Sequence, residues 1–81
     1  MEVIVLDKAL KELSKISKPQ ARKILDAIEN LSKYPDIQNI KKLKNHTPTH
    51  RLRVGDYRVL FDIEEDKIIV GRVRHRKKAY S

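Results

Sequence analysis

Residues 50–76 read HRLRVGDYRVLFDIEEDKIIVGRVRHR, and this stretch decides the fold. Leu52 and Val54 alternate with Arg51 and Arg53, and Gly55-Asp56 then marks a tight turn. Tyr57, Val59, Phe61 and Ile63 alternate with Arg58, Leu60 and Asp62. After the polar turn Glu64-Glu65-Asp66-Lys67, Ile69, Gly71, Val73 and His75 alternate with Ile68, Val70, Arg72, Arg74 and Arg76. A period of two belongs to a β-strand, whose neighbouring side chains point to opposite faces of the sheet. The stretch therefore predicts three antiparallel strands joined by short turns. One face is mostly apolar, and the other collects Arg51, Arg53, Arg58, Arg72 and Arg74.

Upstream the pattern changes. Val3-Ile4-Val5-Leu6 predicts a first strand from its apolar, β-branched run. Asp7 is placed to cap a helix in which Ala9, Leu10, Leu13 and Ile16 recur at helical spacing. Ser17 and Gln20 have capping-box spacing around Pro19, and Ala21, Ile24, Leu25, Ile28 and Leu31 trace a second stripe as far as Tyr34. Residues 36–49 show no period and predict a loop with a basic patch, Lys41, Lys42 and Lys44, and a break at Pro48. A connection of that length in a compact domain is often functional. The expected architecture is β-α-α-β-β-β, an α+β fold with an αα-hairpin on one side of a largely antiparallel sheet.

Eighty-one residues make one small domain, and 40% hydrophobic content is enough for a thin core. The net charge of +8 is unevenly placed. Residues 1–40 hold seven Lys/Arg against six Asp/Glu, whereas residues 41–81 hold twelve against five. A localised cationic excess points to a polyanionic partner, and arginine forks suit phosphate oxygens. There is no cysteine, no apolar run of membrane-spanning length and no signal-peptide pattern at the N-terminus, which together fit the cytoplasm.

Several chemistries lack their residues. The three histidines, His46, His50 and His75, have no metal-ligand spacing, so no metal or cofactor is expected. Two glycines cannot build a phosphate-binding glycine loop, and Glu64-Glu65-Asp66 reads as a solvated turn rather than an acid/base pair. What remains is the arginine face with His75 and Tyr80. Cations fixed where charge develops on a phosphate are what phosphodiester cleavage needs. RNA brings its own nucleophile in the 2′-hydroxyl. His75 and Tyr80 are the residues able to move the protons, although alternation puts His75 on the apolar side.

The run His50 to Ile63, the following run Ile68 to Tyr80 with its His75-Arg76 and Tyr80, and Lys41-Lys42-Leu43-Lys44-Asn45 before them together resemble the RelE toxins of the RelE/ParE superfamily. The resemblance spans residues 1–81 as a single toxin domain. It implies a toxin of a type II toxin–antitoxin system that enters the ribosome and cleaves mRNA without a metal. By position, Arg58 resembles the arginine that stabilises the scissile phosphate. Arg74 resembles a second catalytic arginine, and Tyr80 the tyrosine that stacks on the mRNA and assists proton transfer. Arg51 and Arg53 stand where well-known members carry lysines, and with Arg72, Arg76, Lys41, Lys42 and Lys44 they would hold RNA. Arginine stays charged at any usable pH, so it is a poor proton acceptor, and that role falls to Tyr80 or His75. The implied partners are an acidic RelB-like antitoxin, in a hetero-oligomer, and the ribosome with its mRNA. Two other readings remain open: a ParE-like toxin directed at DNA gyrase, and an RNA-binding module without catalysis.

Overall fold

The computed structural model describes residues 1–79. The chain runs β1 (Glu2–Val5), α1 (Asp7–Ser14), α2 (Lys18–Glu29), a 3-10 turn (Asn30–Lys33), β2 (Ile40–Lys42), β3 (His50–Val54), β4 (Tyr57–Glu64) and β5 (Lys67–His75). The five strands form one sheet in the order β1-β5-β4-β3-β2. β1 lies parallel to β5, and every other pair is antiparallel. The α+β class, the helical hairpin and the mainly antiparallel sheet are as expected from the sequence.

Both helices form because each presents one apolar stripe to the sheet. Ala9 and Leu13 of α1, one turn apart, are buried, as are Ile24 and Ile28 of α2. They meet Leu52, Val59, Phe61, Val70 and Val73 in a single core. Phe61 is fully buried at its centre, a burial that contributes on the order of 2–3 kcal/mol.

Four details differ from the sequence reading. Residues 40–42 form a short strand inside the expected loop, pairing Ile40 with Leu52 and Lys42 with His50. Three residues show no readable period. Leu6, not Asp7, stands at the N-cap of α1, with Asp7 in its first turn, and Ser17 sits at the N-cap of α2 without a side-chain capping bond. The second helix stops at Glu29, and the 3-10 turn carries Leu31 onward to the core.

The fourth difference matters most. Leu60 pairs with Arg72 but Phe61 pairs with Val70, so Gly71 is an extra, unpaired residue in β5. This bulge resets the alternation. Ile68 and Val70 therefore join Val73 on the helix side, and Ile69 moves to the other face opposite Asp62.

Candidate nucleic-acid interface

Directly opposed residues in an antiparallel sheet share a face, so the register shows where the arginines stand. Arg53, Arg58 and Arg74 form one row across β3, β4 and β5. Lys41, Arg51, Leu60 and Arg72 form the next row, from β2 to β5. All face away from the helices. The expected cationic face exists, and β2 extends it by Lys41.

The segment between β2 and β3 builds a wall on this face. The Leu43 N–H donates to the Thr49 carbonyl (2.7 Å), closing residues 44–48 into a loop. Asn45 takes a left-handed φ of 55°, a conformation that asparagine tolerates better than most residues. The loop is fixed to the sheet by the Thr49 N–H, which donates to Asp62 Oδ1 (2.9 Å). Its Pro48 Cγ lies 3.7 Å from where a β-carbon on Gly71 would sit. Between loop and sheet is a hollow of about 750 Å³ lined by Lys41, Leu43, Lys44, His46, Arg51, Arg58, Arg76 and Lys77. Five of these are residues singled out from sequence. Leu43, His46 and Lys77 are not, because a loop without a period gives no sign of which side chains turn inward.

The arginines are held in two ways. Arg58 Nη1 donates to the carbonyls of Gly55 (2.9 Å) and Tyr57 (3.0 Å), so backbone dipoles of the β3–β4 turn fix the guanidinium while its charge stays uncancelled. Arg76 lies beside the same turn, its Nε 3.8 Å from Asp56 Oδ1. On β5 the partner is a carboxylate. Beyond Val70 this strand has outrun β1, and α1 brings Glu12 to the open edge. Glu12 Oε1 accepts the Val73 N–H (2.9 Å) and Arg72 Nε (3.2 Å), and Oε2 accepts Arg72 Nη2 (3.1 Å). Arg74 Nε is 4.0 Å from Oε2. Burial pushes the Glu12 carboxyl up, but the Arg72 hydrogen bonds, the Val73 N–H and the charges of Arg72 and Arg74 outweigh it and hold the group below its ordinary range. Glu12 was not singled out in the sequence, because its partners lie sixty positions away.

The remaining candidates are elsewhere. Arg53 is exposed at the end of its row, away from the hollow's lining. Lys42 pairs with His50, which belongs to the helix side and stacks on Phe61 at 5.4 Å. Burial lowers the pKa of His50, with Lys42 adding to that and Asp62 opposing it. His75 pairs with Tyr57 on the helix side, where the two rings meet edge to face at 5.5 Å. Tyr80 lies outside the described residues. Among the described residues there is no cluster of three metal-ligating side chains and no helix long and apolar enough to cross a membrane.

Comparison with known proteins agrees with this geometry. The profile of the family described as "ParE toxin of type II toxin-antitoxin system, parDE" matches residues 3–80. Toxin RelE3 of Methanocaldococcus jannaschii is 31% identical over 84 residues, covering 99% of this chain and 96% of that protein. The RelB–RelE antitoxin–toxin complex from Methanococcus jannaschii contains a chain with a TM-score of 0.76 and 28% identity, covering 95% of this chain and 94% of that one. The archaeal RelE–RelB complex from Pyrococcus horikoshii gives 0.76 at 23% identity, with 96% and 97% covered, a likeness of fold. The chain belongs to the RelE/ParE superfamily and is a toxin of a RelBE-type toxin–antitoxin system.

Proposed function

We propose that this toxin is a ribosome-dependent mRNA endonuclease that cleaves by attack of the RNA 2′-hydroxyl on the adjacent phosphate, and so inhibits translation. The observation that carries the reading is the hollow, where six cationic side chains converge and, among the described residues, no carboxylate joins the lining. A carboxylate-free lining of this kind attracts a phosphate and offers little to a metal ion. Arg58 stabilises the charge that builds on the phosphate oxygens, and it is already positioned by two carbonyls before RNA arrives. Arg74 supports the same charge from β5. Lys41, Lys44, Arg51 and Arg76 track the RNA backbone through the hollow, with Arg53 and Arg72 at its periphery, whereas Lys42, paired with His50 on the helix side, is turned away from it. Tyr80, outside the described residues, serves as a stacking platform and a proton-transfer group.

The partner that silences it is an acidic, RelB-like antitoxin. It complements the +8 charge of the toxin and assembles with it as a hetero-oligomer in the cytoplasm. The Methanococcus jannaschii and Pyrococcus horikoshii relatives were captured in RelB–RelE complexes. The family profile is named for ParE, which favours a second reading, a protein-directed toxin acting on DNA gyrase. Induction of the toxin in cells, followed by mapping of mRNA 5′ ends, separates the two. New ends inside translated codons, absent with Arg58→Ala, support the endonuclease. Unbroken mRNA with DNA damage supports the gyrase reading.

A further inference from the structure

A hollow lined by three arginines and three lysines needs a proton acceptor to cleave RNA; arginine cannot be one, and an imidazole is the side chain best matched to that role near neutral pH. Of the side chains lining the hollow, one is an imidazole: His46, at the tip of the loop between β2 and β3. Its Nδ1 is 3.0 Å from the Pro48 carbonyl oxygen. A carbonyl oxygen only accepts, so this contact requires hydrogen on Nδ1. In the neutral ring the basic lone pair then belongs to Nε2. The Leu43–Thr49 backbone bond and the left-handed Asn45 fix the loop that carries the ring, and the Thr49–Asp62 bond fixes the loop to β4. Orientation and tautomer are thus set by the fold, as a general base requires.

We infer that His46 is the general base of the reaction, taking the proton from the RNA 2′-hydroxyl at Nε2. This rests on the endonuclease reading above. In the step, the 2′-oxygen loses its proton to Nε2 and forms a bond to phosphorus. The bond from phosphorus to the 5′-oxygen breaks, and that oxygen leaves with a proton from water. The products are a 2′,3′-cyclic phosphate and a 5′-hydroxyl. Arg51 and Arg58, in the same lining, stabilise the phosphate oxygens. His75 is on the other face of the sheet, against Tyr57. The assignment to His46 therefore replaces the expectation that His75 shares this role.

The test is single-turnover cleavage of a defined mRNA on programmed ribosomes by the full-length protein and three variants. His46→Asn keeps an amide donor where Nδ1 stands, so the bond to Pro48 and the loop are preserved while the base is lost. It is expected to cleave about 10²–10⁴-fold more slowly at saturating ribosome, with unchanged ribosome binding. His46→Ala is expected to regain rate when free imidazole is added. His46→Phe keeps a ring for stacking and is expected to stay inactive. A loss below about tenfold in His46→Asn, a loss confined to binding, no imidazole rescue, or recovery in His46→Phe overturns the role of His46. Failure of the wild-type protein to cleave would instead sink the endonuclease reading on which the inference rests.

Discussion

The two faces of this sheet are built from alternate residues of the same strands, yet they are held in opposite ways. On the helix side Leu52, Val59, Phe61, Val70 and Val73 are buried against α1 and α2, and their energy is that of apolar area removed from water. On the open side Arg53, Arg58 and Arg74 stand in one cross-strand row, an arrangement of like charges that destabilises a sheet. Glu12 offsets that row at its β5 end, while Arg58 is steadied by the carbonyls of Gly55 and Tyr57, which leave its charge intact. One face makes the fold, and the other carries repulsion that a polyanion relieves. With the open face as the proposed site of cleavage, the difference teaches that stability and activity should be separable by face.

Substitutions can break that separation, and the largest effect belongs to the helix side. Phe61→Ala removes the ring at the centre of the core and is expected to destabilise by about 3–5 kcal/mol in urea unfolding, enough to unfold a domain this small. An equal loss from Arg58→Ala would contradict the division of labour. Arg58→Ala is instead expected to lower mRNA cleavage by about 10²–10³-fold while shifting stability by less than about 1 kcal/mol.

Glu12 is where the two faces meet, and it sharpens the comparison. Glu12→Gln keeps an acceptor for the Val73 N–H but loses the charge facing Arg72 and Arg74, and is expected to destabilise by about 1–2 kcal/mol near neutral pH. Because the folded state holds this carboxyl below its ordinary value of 4.5, the stabilisation is fully present above that pH and is lost as pH falls through the lowered value. Wild type and variant should therefore converge in thermal melts on the acid side of pH 4.5. A gap that persists there would show that Glu12 acts through packing rather than charge. The smallest effect has the opposite sign. Arg53→Glu sets an acid across from Arg58 and is expected to stabilise by about 0.2–1 kcal/mol while weakening RNA binding. Destabilisation would mean that the arginine row is not frustrated.

How far the sequence was legible follows from the range of each interaction. The alternation of Arg51 to Ile63 is local, and it placed β3, β4 and the cationic face correctly. Gly71 broke the same rule in β5: a bulge is one residue long and leaves no periodic trace, so Ile68 and Ile69 were assigned to the wrong faces. β2 is three residues of Ile-Lys-Lys, recognisable only through its pairing with β3. Glu12 and His46 were invisible for a related reason. Each gains its meaning from a partner or a hollow that exists only once distant segments meet.

The account's central claim is that the open arginine face cleaves mRNA on the ribosome. The most direct measurement is to incubate the purified toxin with a defined mRNA, with and without programmed ribosomes, and to analyse the ends chemically. The account predicts cleavage only when ribosomes are present, leaving a 2′,3′-cyclic phosphate and a 5′-hydroxyl, and no cleavage with Arg58→Ala. Intact mRNA in the presence of ribosomes, from a protein that still arrests growth, would contradict it.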